Sequence, residues 1–325
     1  MKMRIKAYKI KKATILAAIL VFIAAIVTSP QTAINAGRSA LAMCANVLIP
    51  SLFPFFVFSG MLINLGFAKA VGGVLSPVMR PLFGVSGRAA LALILGILSG
   101  YPMGASCVCD LYIGGYINRL EAERLVAFCN NSGPLFIIGA VGAAMYGSTQ
   151  AGMTLYITHV LSSLTVGLIL RISGGDVSGA AKNGAAHTSP ARKRQSFGEV
   201  IVEVMRKSIN SMLTVCGFTL FFGVITAIVQ SAMPAIIANS GIGNTAAGLL
   251  DISAGMDGVF RSGMILPHKL IFTAAVIGFA GFGVHFQVMG IMAKTDLRFS
   301  AYLKGKIMQA AIAAVYMWIA VGYIL

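Results

Sequence analysis

Ser99-Gly100-Tyr101-Pro102-Met103-Gly104 stands inside an apolar run from about Leu91 to Cys109. Pro102 has no backbone donor and disfavours helical geometry at Tyr101, so an unbroken lipid-facing helix has no use for this stretch. Within a bilayer, backbone groups freed at such a break are tolerated only where protein or a water-filled cavity satisfies them. The stretch therefore marks a path or a binding site. A second break, Asn130-Asn131-Ser132-Gly133-Pro134, comes early in the next apolar run, and a third, Gly278-Phe279-Ala280-Gly281-Phe282-Gly283-Val284-His285, lies far downstream. Broken segments recurring in two halves of a membrane protein point to a site near the midplane.

Composition agrees. Apolar residues make up 58% of the chain and charged ones 10%, with a mean hydropathy of +0.87, far from a soluble mix. Apolar runs long enough to cross a bilayer occur at about 13–29, 41–65, 88–109, 125–146, 151–172, 208–230, 270–293 and 303–323. Two weaker, Gly-rich or charged stretches, 67–84 and 242–262, read as half-spanning arms. The net charge of +16 gathers in tails and loops beside these runs, which is the positive-inside pattern and not a nucleic-acid footprint. Lys2, Arg4, Lys6, Lys9, Lys11 and Lys12 place the N-terminus in the cytoplasm. Residues 1–30 read as a basic tail and an uncleaved first helix, since no Ala-x-Ala site follows Pro30. Cys44, Cys107, Cys109, Cys129 and Cys216 fall in or beside apolar runs without zinc spacing and read as small hydrophobes.

The expected architecture is an all-α polytopic membrane protein with two halves. Residues 31–172 form a first repeat, 173–206 a basic flexible cytoplasmic linker carrying Lys182, His187, Arg192, Lys193 and Arg194, and 207–325 a second repeat. Each half opens with a long apolar helix (41–65, 208–230), continues with a Gly-containing arm (67–87, 242–263) and follows with a broken segment (88–109, 270–293). Ser99-Gly100-Tyr101-Pro102 aligns on Ala280-Gly281-Phe282-Gly283. With the tail inside, the two halves have inverted topology, provided a re-entrant hairpin replaces one full crossing at 88–109 or 125–146. Residues 294–306, with Lys294, Arg298, Lys304 and Lys306, are expected in the cytoplasm, and Glu121 and Glu123 at a solvated helix start.

Side chains able to carry chemistry cluster at the breaks. Asn130, Asn131 and Ser132 are costly in lipid and should face the interior. They either cap the broken helix alone or cap it and touch a ligand; the two roles are compatible, because a half-helix N-terminus is itself an anion site. His285 and Gln287 follow the third break, with His285 either packed and hydrogen-bonded or a proton-sensitive donor beside a cavity. His159 is a weaker candidate. Asp251 is an acid in a moderately apolar arm, suited to capping a half-helix, pairing with a cation or binding a proton. No nucleophile–base pair, Walker loop or His-Glu-x-x-His helix occurs, so neither catalysis nor a metal or cofactor is expected.

Leu48-Ile49-Pro50-Ser51-Leu52-Phe53-Pro54-Phe55, Ser99 to Gly104, Asn130-Asn131-Ser132-Gly133-Pro134-Leu135-Phe136 and Val284-His285-x-Gln287 resemble the sporulation integral membrane proteins of the YlbJ type over most of the chain. That family belongs to the nucleoside-recognition, or gate-domain, group, whose fold is similar to concentrative nucleoside transporters. Its stage V sporulation member is implicated in moving dipicolinate from the mother cell across the outer forespore membrane. Where the family pattern has a Glu in the arm before the third break, this chain has Asp251. The resemblance implies a transporter of a small organic anion in that membrane, with a nucleoside or other metabolite carrier and a non-transport assembly protein of the spore as alternatives. Dipicolinate is a flat aromatic dianion, so a site for it needs anion donors and an apolar slot. The candidates are Ser99, Gly100, Asn130, Asn131, Ser132, His285 and Gln287 as donors, Tyr101 and Phe282 for the ring, and Asp251 in an open role. The expected partners are a small anionic substrate, the lipid bilayer and a second copy of the chain in a homo-oligomer.

Overall fold

The computed structural model describes residues 2–178, 196–234 and 248–324. The centre of the expected linker, with all five of its named basic residues, and residues 242–247 of the second arm lie outside the described residues. Helix α1 (Lys2–Thr28) and α2 (Pro30–Met43) meet at 96°, where Pro30 takes the first helical turn, the place that needs no backbone donor. A π-turn, Cys44–Leu48, leads from α2 into α3 (Ile49–Asn64), which holds Pro50 in its first turn and Pro54 inside. Neither proline can donate into the helix ladder, and the extra residue of the π-turn takes up the offset.

The remaining elements are α4 (Phe67–Phe83), α5 (Ala90–Ser99), α6 (Met103–Ile113), α7 (Arg119–Phe128), a π-helix (Leu135–Met145), α8 (Thr149–Gly174), α9 (Phe197–Ala232), α10 (Ile252–Arg261), α11 (Leu266–Phe279), α12 (Gly281–Met292) and α13 (Phe299–Ile324). Capping boxes start α7, with Asn118 and Glu121, and α9, with Ser196 and Glu199. Among the described residues, four helical stretches are long and apolar enough to span a membrane, Thr149–Gly174, Phe197–Ala232, Leu266–Met292 and Phe299–Gly322, or up to six with each bent pair taken as one span. The chain is thus all-helical over its described residues and built of membrane spans and broken helices.

Three sequence expectations need correction or refinement here. The run 88–109 is no single crossing: a Cβ on Gly96 would stand 3.1 Å from the Gly104 Cα, whereas residues eight apart in one helix are about 12 Å apart. The chain folds back at Gly100, which adopts φ +96°, and α5 packs on α6. The same test finds a second fold-back at Asp251, where a Cβ on Gly255 would meet the Gly248 Cα at 2.1 Å, against a helical separation of about 10 Å. The run 270–293, in contrast, belongs to a continuous span, kinked at Ala280. Gly100 and Gly281, aligned by sequence, therefore serve different geometries. In succession of parts, the α5–α6 hairpin answers to the fold-back at Asp251, the broken α7–π-helix segment to α11–α12, and α8 to α13.

The two halves interlock. Helix α9 packs on α2 and α3, α12 on α6 and α9, and α13 on α7, α8 and α11. A third correction concerns the polar ends. Glu121 and Glu123 are buried. Glu121 accepts from the amides of Ser86 at 2.6 Å and Asn118 at 3.0 Å. Glu123 accepts from Arg298 Nη2 at 2.5 Å and Arg119 Nε at 3.0 Å, which ties the start of α7 to the segment before α13. Burial works to raise the Glu123 carboxyl, and the bonds from Arg298 and Arg119 outweigh it and hold the group below the usual carboxylate range. Arg124 donates to the carbonyls of Phe83, Gly84 and Gly175 and so closes the ends of α4 and α8.

Candidate substrate cavity

Two crossings of broken backbone frame the site. In the first half, Gly100 at the hairpin tip abuts Gly133: a Cβ there would lie 2.8 Å from the Gly133 amide nitrogen. Beside it, Gly96 and Gly104 close on the Cys129 carbonyl oxygen, which a Cβ would meet at 1.7 Å and 1.9 Å respectively. Only glycine lets the hairpin seat this deeply against the second break. In the second half, Gly281, at φ +77°, sits against the fold-back at Asp251, with a Cβ 3.0 Å from the Gly248 carbonyl oxygen and 3.1 Å from the Ile252 nitrogen.

The freed groups of the second break are met from within the protein, as a lipid environment demands. Asn131 Nδ2 donates back to Phe128 O at 2.9 Å, closing the end of α7. Asn130 Oδ1 accepts from Ala105 N at 3.3 Å, and the Ser132 amide donates to His159 Nε2 at 3.0 Å. Helix α13 supplies further partners. Lys306 Nζ donates to Asn130 O at 3.0 Å and to Gln309 Oε1 at 2.6 Å; Gln309 Nε2 donates to Asn131 Oδ1 at 2.9 Å. At the other crossing, Asp251 caps α10 by accepting from the amides of Ser253 and Ala254, both at 3.0 Å.

Between the crossings lies a cavity of about 350 Å³, in the range of small-molecule sites. Its wall is mainly apolar, from the α2–α3 turn, α9 and α12, with a few polar groups: Ser99, Tyr101, Ser132, Thr219, Asp251, Ser253 and Gln287. Gly133, Leu135 and Phe136 bring the N-terminal end of the π-helix to it. Ser99 Oγ, on the wall, is buried without a hydrogen-bond partner.

Of the candidates read from sequence, Ser99, Gly100, Tyr101, Ser132, Asp251 and Gln287 come together on this wall, although the sequence separates them by up to 188 positions. Asn130 and Asn131 stand behind it, fully buried and shaping the break. His285 is turned away, its Nδ1 3.0 Å from Tyr302 Oη and its ring 4.6 Å from that of Phe279. Phe282 is 39% exposed, edge-on to Phe279 and off the wall, so it is not placed to flank a ligand in the cavity.

Lys306 and Gln309 are the residues the sequence reading missed. Lys306, expected in a cytoplasmic segment, is 0% exposed inside α13. Three basic neighbours, Lys294, Arg298 and Lys304, drew it into a charged loop. The missed signal is spacing: Tyr302, Lys306, Gln309, Ala313 and Met317 recur on one helical face, and all are buried.

A membrane protein whose broken helices cross around an interior cavity defines the class, and the nucleoside-recognition (Gate) family model matches residues 45–152, which contain both breaks of the first half. The chain is also 31% identical, over 95% of its length and 82% of the relative's, to the sporulation integral membrane protein YlbJ of Bacillus subtilis (strain 168). It belongs to the family of that protein. No solved structure matches the chain.

Proposed function

We propose that the chain carries a small organic anion across the membrane, and that this anion is dipicolinate moving from mother cell towards forespore through the outer forespore membrane. The observation that carries the reading is the cavity itself. Crossed backbone breaks back a mostly apolar, half-open slot edged by Ser99, Tyr101 and Ser132, and the leading end of the π-helix, the positive end of its dipole, opens on the same slot. A flat aromatic ring suits the apolar walls and the Tyr101 ring, and a carboxylate suits the end of the slot where the π-helix begins. The matching succession of hairpin, broken span and long helix in both halves supports two repeats of inverted topology, as alternating access requires. The N-terminal tail is cytoplasmic in this arrangement. The chain acts without a cofactor, as a carrier and not an enzyme, and a homo-oligomer is compatible with its lipid-facing outer helices.

The description of the matching family model, nucleoside recognition, favours a second reading in which the cargo is a neutral nucleoside. The deciding measurement is dipicolinate content in mother cells and released spores of a strain lacking this chain, complemented with the wild type or with Ser99→Ala. Dipicolinate that is made but stays outside the spore, restored fully only by the wild type, is the expected result. Normal loading without the protein refutes the proposal, and normal loading with a defective coat or cortex points to an assembly role.

A further inference from the structure

Among the described residues Lys306 is the one interior cation placed beside the cavity, and its hydrogen bonds alone do not account for it. All three of its donors are used, to Asn130 O at 3.0 Å, Gln309 Oε1 at 2.6 Å and Tyr101 Oη at 3.4 Å. Every one of these acceptors is neutral, and no carboxylate forms an ion pair with Lys306 among the described residues. A fully buried charge with its hydrogen bonds met but its charge unmatched is costly to hold. The same bonds could be made by a neutral donor at less cost. The ammonium also stands 5.0 Å from the centroid of the Tyr101 ring, and Tyr101 is a wall residue of the cavity. The positive charge is therefore separated from the cavity by a single aromatic side chain, in a low-dielectric interior where its field is weakly screened. Tyr101 is fixed in turn, its hydroxyl donating to Ile277 O at 2.7 Å.

We propose that Lys306 is the counter-charge that makes the cavity select carboxylate-bearing anions over neutral ligands of the same shape, acting through Tyr101 and not by direct contact, its ammonium form being favoured when an anion occupies the cavity. The inference deepens the transport reading above and rests on it. It also orients the ligand. Asp251 is the acid on the cavity wall, and its carboxylate is already held by the Ser253 and Ala254 amides at the start of α10. An anion is repelled from that side and drawn to the side of Ser99, Tyr101 and Ser132, where the Tyr101 ring alone separates it from the ammonium. Lys306 is thus a positioning and specificity-determining residue, and its placement depends on Gly305, whose missing side chain lets α13 lie directly on the backbone of α7 at Ala127.

The test uses purified full-length protein in proteoliposomes, with uptake of labelled dipicolinate and of its neutral diamide measured side by side. Lys306→Met and Lys306→Gln should raise the KM for dipicolinate about tenfold or more relative to the KM for the diamide, whatever the two variants lose in common. Lys306→Arg, which keeps the charge, should keep the preference for the dianion. A melting curve accompanies each variant: Lys306→Met leaves Asn130 O and Gln309 Oε1 without a donor and should melt below the wild type, whereas Lys306→Gln keeps an amide donor and Lys306→Arg the charge, so KM is compared among the variants that stay folded. Wild-type vesicles that carry dipicolinate, together with a Lys306→Met variant that keeps the wild-type KM and preference, overturn this inference alone. Wild-type vesicles that carry uridine and not dipicolinate overturn the transport reading and this one together, because a neutral cargo needs no counter-charge. The wild type by itself tells the two failures apart.

Discussion

Gly305→Ala tests whether the closeness of α13 to α7 holds the cavity in shape. A Cβ on residue 305 would stand 2.1 Å from the Ala127 carbonyl oxygen, 2.7 Å from its carbonyl carbon and 2.7 Å from its Cα. Non-bonded heavy atoms are most stable at about 3.5–4.0 Å, and backbone atoms cannot rotate aside as a side-chain tip can, so the helices must part by about 1 Å. Lys306 Nζ lies 3.0 Å from Asn130 O, so a retreat of about 1 Å takes it past hydrogen-bonding distance. The loss of a hydrogen bond to a charged group costs about 1.5–3 kcal/mol, and overpacking adds about 1–3 kcal/mol. The sum, about 2.5–6 kcal/mol, should lower the melting temperature of the detergent-solubilised protein by several degrees and reduce uptake with it. The control is Gly322→Ala on the same helix, where a Cβ meets nothing within 4 Å; it should be neutral or stabilising by up to about 1 kcal/mol through helix propensity. A Gly305→Ala protein that melts and transports like the wild type would refute the argument that glycine is required for this contact.

Three further outcomes follow from the same coordinates. Glu123→Gln should lower stability at neutral pH; because the Glu123 carboxyl lies below its ordinary value, its contribution is present above about pH 4.3 and fades as pH falls through the folded value, so wild-type and variant melting temperatures should converge on acidification and a constant gap would refute this. Asn118→Ala removes the cap that accepts from Glu121 N at 2.9 Å and the bond from Nδ2 to Val177 O at 2.9 Å, which should cost about 0.5–2 kcal/mol for the cap alone in a denaturation series. Ala280→Gly relieves about 1–2 kcal/mol of left-handed strain at φ +79° but gives up a buried methyl worth about 0.8 kcal/mol and about 0.4–1 kcal/mol of chain entropy; it should change stability by less than about 1 kcal/mol, and a large loss would mean that the methyl packs more tightly than its strain suggests.

How much of the site was legible depends on how local its causes are. Pro102 and Pro134 announce breaks because a missing donor acts within one or two turns, and the breaks appear where these residues stand; Asp251 offered a helix cap but not the fold-back found beside it. Six of the ten candidate residues lie on one cavity wall for the same reason: a break in lipid has to face a protected interior. Phe282 and His285 differ because helix rotation, set by neighbouring helices, decides which residue beside a break faces inward. At the third break, Val284 and Gln287 line the cavity while His285 turns to Tyr302. The buried roles of Glu121 and Glu123 were hidden because their partners Ser86 and Arg298 are distant in sequence.

The sequence by itself determined an all-helical membrane protein, the two breaks of its first half, and the family it resembles, since hydropathy and proline chemistry are written in short windows. Whether a break folds back, as at Gly100, or passes through, as at Ala280, was decided only by tertiary structure. Glycine tells of permission and not of the neighbour that uses it: the Cys129 carbonyl against Gly96 and Gly104, or the Gly248 backbone against Gly255 and Gly281. Lys306 follows the same rule. A lysine near a helix start reads as a surface charge until another helix, admitted by Gly305, buries it behind Tyr101.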